Sequence, residues 1–215
     1  MPELVLSLAW MLPAAYLLGS LTFSIWAGKL FFGLDIREHG SGNAGATNVM
    51  RVLGLRTGIP VLILDMLKGW LAVTLSGFQK VLPEGDEYWM LLRIGLGIIA
   101  VAGHIYPVFA GFRGGKGVAT IAGVGLALHP YATLLSLAVF ILVLLLFRYV
   151  SVASVSAGIS FPLWAIVFPG TPYLSMKIFA LLVSVLLIYT HRSNIRRLIR
   201  GEEKKAGFLF RGSGN

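Results

Sequence analysis

Val118 to Phe147 reads VATIAGVGLALHPYATLLSLAVFILVLLLF. No charged residue interrupts it, and about 20 apolar residues suffice to cross a hydrocarbon core of about 30 Å. The run is overlong for one span and contains His129-Pro130. Proline lacks a backbone N–H and clashes with the preceding helical turn. The stretch therefore reads as a short helix of about 12 residues followed by a full span. That choice fixes how many times the chain crosses, and so which loops share a side.

Working outward, further long apolar segments cover Leu4 to Ala27, Gly58 to Phe78, Tyr88 to Ala110, Val150 to Phe168 and Tyr173 to Tyr189, with Pro169 to Pro172 as a tight turn. Hydrophobic residues make up 57% of the chain and charged residues 13%, and the mean hydropathy is +0.83. In lipid the backbone must satisfy itself, and no long alternating strands point to a barrel. The expected fold is all-α: a polytopic transmembrane helical bundle of seven spans, one domain over residues 1–215. Met1-Pro2-Glu3 lacks the cationic region of a signal peptide, so the first apolar run reads as an uncleaved span.

Charge orients this bundle. Lys29, Arg37, Arg51, Arg56, Arg113, Lys116, Arg148 and the seven basic residues from Arg192 to Arg211 fall on one side, against Lys80 and Lys177 on the other. The positive-inside rule then puts the N-terminus outside and the C-terminus in the cytoplasm. Topology and lipid headgroups account for the net charge of +9 without nucleic acid, since no aromatic-basic recognition module accompanies it. Cysteine is absent, which excludes disulfides, thiolate metal ligands and a cysteine nucleophile. No histidine pair has metal-ligand spacing and carboxylates are sparse, so neither metal nor cofactor is expected.

Three polar constellations share the inferred cytoplasmic face. Gly111 to Gly117 is a flexible basic loop with Arg113 and Lys116, able by composition to cradle phosphate; it departs from a Walker A loop at Ala110 and Gly117. Its plainer reading is a turn whose glycines ease tight packing and whose cations set topology. Gly40-Ser41-Gly42-Asn43-Ala44-Gly45-Ala46-Thr47-Asn48 offers hydroxyls, carboxamides and bare amides, and Arg51 adds a planar fork suited to phosphate; a polar capping loop is the alternative. His191, Ser193, Asn194 and Arg197 follow a helix end, where a headgroup-binding stretch is the alternative. Together they describe an interfacial pocket for a substrate with more than one phosphate, open to lipid. Within the second span Asp65 and Lys68 lie three apart on one helical face and are expected to pair with each other or with the site. His104 reads as a satisfied histidine at a helix end.

These three sets, Gly40 to Arg51, Gly103 to Thr120 and His191 to Glu203, resemble the motifs of the bacterial acyl-phosphate:glycerol-3-phosphate acyltransferase family, in order and spacing over nearly the whole chain and including Asp65, Lys68 and Gly69. The resemblance implies transfer of a fatty acyl group from acyl phosphate to the first hydroxyl of sn-glycerol 3-phosphate, giving lysophosphatidic acid and phosphate, the first step of phospholipid synthesis. It also implies a multi-pass protein of the bacterial inner membrane with its site on the cytoplasmic side. A mixed anhydride carries its own good leaving group, so direct attack without an acyl-enzyme is expected. The sequence has no Gly-x-Ser-x-Gly elbow, nor the His-x-x-x-x-Asp pattern of acyl-CoA-dependent acyltransferases.

On this reading Lys116, Arg51, Ser41 and the Gly114, Gly115 and Gly117 amides hold phosphate oxygens, while Thr47, Asn48, His191 and Asn194 orient glycerol 3-phosphate. Gly42, Asn43 and Lys68 complete the expected binding set. The hydroxyl proton passes to the donor's own phosphate, with His191 as the protein alternative. Partners are the two substrates and membrane lipid. A transporter of an anionic phosphorylated solute would use the same cradle only to bind, although no internal repeat supports it.

Overall fold

The computed structural model describes residues 2–167 and 173–207, and every regular element among the described residues is helical. The expected turn at Pro169 to Pro172 lies outside them, as does Arg211. The chain runs α1 (Pro2–Gly19), α2 (Phe23–Phe32), α3 (Ala46–Leu53), α4 (Leu55–Thr74), α5 (Glu87–Ile105), α6 (Val118–Leu128), α7 (Pro130–Phe147), α8 (Val150–Val167), α9 (Leu174–Thr190) and α10 (Arg192–Ile199). Short 3-10 turns extend α4 over Leu75–Phe78 and follow α5 over Val108–Ala110. Five helical segments, α1, α4, α5, α7 and α8, are long and apolar enough to cross a membrane, and α9 joins them if it is counted with α10, from which it bends by 55°.

The break at His129-Pro130 ends α6 and starts α7 with proline in the first turn, where its missing N–H removes no helical bond. The His129 carbonyl accepts the Thr133 hydroxyl at 2.9 Å, and its Nδ1 accepts the Ala132 N–H at 3.4 Å. The result is an 11-residue α6, about 16 Å long at 1.5 Å per residue, which does not meet the length of a full span.

One expected boundary is corrected. The first span is not continuous from Leu4 to Ala27: it stops at Gly19 and restarts at Phe23. The reason is Lys68, buried with 2% exposure, whose ammonium donates to the Leu21 carbonyl at 2.6 Å. A helix must open to offer a carbonyl sideways, and a buried ammonium needs one. The polar, glycine-rich segment from Phe31 to Thr57 contains the 3-10 turn Ile36–Glu38 and the amphipathic α3. Ile36, Ala44, Ala46 and Val49 turn inward to form a small core with Ile25 and Val61.

α4 is the centre, packed against α1, α3, α5 and α6. It meets α6 at backbone distance. A Cβ on Gly69 would stand 2.3 Å from the Thr120 carbonyl oxygen and one on Gly123 1.8 Å from that of Met66, so only glycine fits at either crossing point. α7 lies along α8, and α8 along α9. α7 buries Ala132, Thr133 and Ser136 while Ile141, Leu142, Leu145, Leu146 and Phe147 are all exposed. Small and polar inside, large and apolar outside, is the pattern of helices facing lipid.

Candidate active site

All three constellations gather at one end of the bundle, and polar side chains tie them to one another. Arg37 joins the first to the second: its guanidinium donates to the Ala110 carbonyl at 2.9 Å while bonding the Asp35 carboxylate at 2.7 and 3.0 Å. That guanidinium holds the Asp35 carboxyl well below the usual carboxylate range. Lys116 joins the second to the third, its Nζ donating to Asn194 Oδ1. Glu203 closes the third on itself and on α8. Its carboxylate accepts from Asn194 Nδ2 at 2.6 Å, Arg197 Nε at 2.9 Å and the Ser151 hydroxyl at 2.8 Å. Burial works against the Glu203 charge, but these three donors outweigh it and keep the carboxyl below its ordinary value.

The cavity between the three constellations is about 490 Å³. Its polar end is lined by Ser41, Asn43, Thr47, Arg51, Lys116, His191 and Asn194, and its apolar end by Leu62 and Met66 of α4, Ala122 of α6, and Leu137, Phe140 and Leu144 of α7. A charged head and a hydrocarbon tail fit side by side in such a space. Four helices also begin at its wall: Gly45 to Thr47 open α3, Gly117 to Ala119 open α6, Val150 and Ser151 open α8, and His191 and Asn194 open α10. Each N-terminus presents unpaired amides and partial positive charge. With Arg51, Lys116, Arg197 and Lys204 against Asp65, Glu202 and Glu203, and Asp65 balanced by Lys68 at 2.8 Å, the wall favours an anion.

Burial, aided by Arg197 and Arg51, pushes the Lys116 ammonium down to about 8 against the pull of Glu203. Burial and then Lys116 push His191 down to about 4, so its imidazole is neutral near pH 7. Nδ1 stands 2.8 Å from the Leu187 carbonyl, which assigns the proton to Nδ1 and leaves Nε2 as the acceptor.

Not every residue expected here reaches the cavity. Gly42, Gly114, Gly115 and Lys68 are not among its walls. The Gly114 and Gly115 N–H groups are already given to the Ile105 and His104 carbonyls at 3.1 and 3.2 Å. Their lack of side chains serves close approach, since a Cβ on Gly114 would stand 2.0 Å from the His104 oxygen and one on Gly115 2.3 Å from His104 Nε2. Of the two readings of that loop, tight packing describes these two glycines, and Gly117 alone of the three lines the cavity. Asn48 borders it, but its carboxamide is occupied: Oδ1 accepts from Ser41 N at 2.8 Å and Nδ2 donates to Ile36 and His39 carbonyls at 2.9 and 3.0 Å. It braces the first loop.

Asn43 differs, because its Oδ1 is buried without a hydrogen-bond partner. So does His104, expected to be satisfied: its Nδ1 lies 3.7 Å from Asp65 and makes no hydrogen bond. Sequence reasoning passed over Glu203, Arg37 and Ser151. Glu203 stands in the third motif and could have been weighed as a partner for its cations; nothing in spacing marks Arg37 or Ser151. Among the described residues no three histidines or carboxylates gather to hold a metal.

Residues 9–201 match the family model described as glycerol-3-phosphate acyltransferase. Similar curated proteins, each called glycerol-3-phosphate acyltransferase, include one from Chlorobium luteolum, 40% identical over 95% of this chain and 98% of its own. Another, from Chlorobaculum tepidum, is 43% identical over 90% of this chain and 94% of its own. Among solved structures the chain is similar to the integral membrane glycerol 3-phosphate acyltransferase PlsY in its glycerol 3-phosphate form, at 40% identity and TM-score 0.83. That match covers 95% of this chain and 100% of that one. The lysophosphatidic acid form of PlsY aligns at 38% identity and TM-score 0.81, with the same coverage. A match over most of the length, in sequence and in backbone alike, leaves one assignment: this chain belongs to the glycerol-3-phosphate acyltransferase family.

Proposed function

We propose that the protein transfers a fatty acyl group from acyl phosphate to the sn-1 hydroxyl of glycerol 3-phosphate, at the cytoplasmic face of a bacterial cell membrane. The observation that carries this reading is one cavity with a cationic, amide-rich end and a hydrocarbon end. Family membership supports the acceptor, as do the glycerol 3-phosphate and lysophosphatidic acid forms of the similar PlsY. In the reaction the acceptor oxygen bonds the acyl carbon, the anhydride C–O bond breaks, and inorganic phosphate leaves with the electron pair. Lys116, Arg51, Ser41 and the Gly117 amide stabilise the charge that leaves. Thr47, Asn43, His191 and Asn194 orient the glycerol moiety, while Asn48 and Lys68 act by bracing the first loop and the opened helix.

The acceptor proton goes to the departing phosphate. Burial and Lys116 hold the His191 imidazole down to about 4, which makes it a weak base, whereas the departing phosphate gains negative charge on its leaving oxygen as the C–O bond breaks and takes the proton there. His191 Nε2 accepts a hydrogen bond from the hydroxyl and aims it. The bundle crosses seven times, with α6 as the short crossing, the N-terminus outside and the C-terminus in the cytoplasm.

The test uses purified protein in lipid, given palmitoyl phosphate with and without glycerol 3-phosphate, with palmitoyl-CoA as control. Phosphate release that depends on glycerol 3-phosphate and matches lysophosphatidic acid formed is the expected result. Equal product from palmitoyl-CoA would overturn the donor assignment. Folded protein that turns over neither donor would overturn the transferase itself.

A further inference from the structure

A second, smaller cavity of about 60 Å³ lies among α6, α7, α8 and α9. It shares Val118, Ala122, Leu137, Phe140 and Ser154 with the apolar end of the large cavity. From those shared walls it continues along α6 to Gly125 and along α8 to Phe161. The extension is three residues past Ala122 on α6 and seven past Ser154 on α8, about 4 and 10 Å at 1.5 Å per residue. Phe161 and Phe179, each 5% exposed, are among its walls. From Ser151 at the polar end to Phe161 is about 15 Å of helix, half of a hydrocarbon core of about 30 Å. That is the depth one leaflet's acyl chains occupy.

The walls suit hydrocarbon and not water. Three hydroxyls border the pocket, but each donates to its own helix: Thr133 to the His129 carbonyl at 2.9 Å, Ser136 to that of Ala132 at 2.9 Å, Ser154 to that of Val150 at 2.8 Å. Water needs two to four polar partners to settle in a cavity, and apolar cavities stay dry. An apolar space that shares walls with the head-group cavity and carries two rings deeper along α8 and α9 has the form of a gauge.

We propose that this pocket takes the distal end of the donor's acyl chain and that its Phe161–Phe179 floor sets the longest chain the enzyme accepts. The inference rests on the acyl-transfer reading above. It goes further in assigning a specificity role to residues that touch neither phosphate nor acceptor.

Two variants test it on the whole protein in lipid, assayed with decanoyl, myristoyl, palmitoyl and stearoyl phosphate. Ala157→Leu fills the pocket halfway down. It is expected to keep decanoyl transfer and the KM for glycerol 3-phosphate while palmitoyl transfer drops, by about fourfold for each methylene excluded. Phe161→Ala lowers the floor and is expected to raise stearoyl over palmitoyl transfer. If Ala157→Leu does not fold, Phe161→Ala decides alone. Folded variants that keep the parental chain-length ratios would overturn the inference, and would mean a membrane lipid tail or simple packing space. A parent protein inert with every acyl phosphate would instead remove the transfer reading on which it stands.

Discussion

Lys116 concentrates the electrostatics of the site. Its ammonium touches Asn194 and is held near pKa 8 chiefly by burial. A lysine whose value is depressed is charged below that value and loses its charge as pH rises through it. If the cation stabilises charge on the departing phosphate, kcat/KM should fall on the alkaline side with a midpoint near 8. Arginine stays protonated throughout that range, so Lys116→Arg should lose this alkaline limb even if its absolute rate is lower. Lys116→Ala should lose about 100-fold or more in kcat, the scale of removing one preorganised donor to developing negative charge. A pH–rate profile of the three proteins checks both statements. An unchanged alkaline limb in Lys116→Arg would mean that another group titrates.

At the scale of elements, the basic loop from Gly111 to Gly117 is held by its shape against α5, because its glycines admit the His104 backbone and ring. An added methyl at Gly115 must displace His104 Nε2, 2.3 Å away, or move the loop and Lys116 with it. Gly115→Ala should therefore cost at least about tenfold in activity, since a misplacement of about 1 Å can cost 100-fold. The same change should cost less in a His104→Ala background, where the obstructing ring is gone. The four-member activity cycle measures that coupling. Equal losses in both backgrounds would mean that the Ala44 carbonyl, 3.0 Å from the same methyl, and not the His104 ring, is the obstacle.

This loop also marks how far the sequence could be read. Composition alone supplied the helices, the break at His129-Pro130 and the gathering of Ser41, Arg51, Lys116, His191 and Asn194, because apolar runs, a proline and clustered polar residues are local signals. The opening of the first span at Leu21 was not legible, since its cause, Lys68, lies 47 residues away. Nor was the use of Gly114 and Gly115, because bare amides look the same in sequence whether they face an anion or a neighbouring carbonyl.

For the molecule as a whole, the short α6 carries the question of topology. Its far end is not left bare: the Arg93 guanidinium donates to the Ala127 carbonyl at 2.5 Å and stacks on the Trp89 ring at 4.4 Å. Arg93 and Trp89 lie near the start of α5. That end of the bundle also holds Glu87, whose carboxylate accepts from Ser175 N at 2.8 Å, and Gly85, whose carbonyl accepts from Tyr173 at 2.6 Å. The end of α6 thus sits beside the starts of α5 and α9, opposite the cavity. A helix too short to span can still connect the two faces when a neighbour's cation reaches in to cap its last carbonyls. Because the chain contains no cysteine, single cysteines report sidedness without background. In right-side-out membranes Lys80→Cys and Tyr131→Cys should react with an impermeant maleimide at once, and Arg113→Cys only after permeabilisation. Tyr131 is the informative position, being 66% exposed just past the break. Reaction of Tyr131→Cys only after permeabilisation, together with Arg113→Cys, would place both ends of α6 on one side and replace the proposed seven crossings by a re-entrant arrangement.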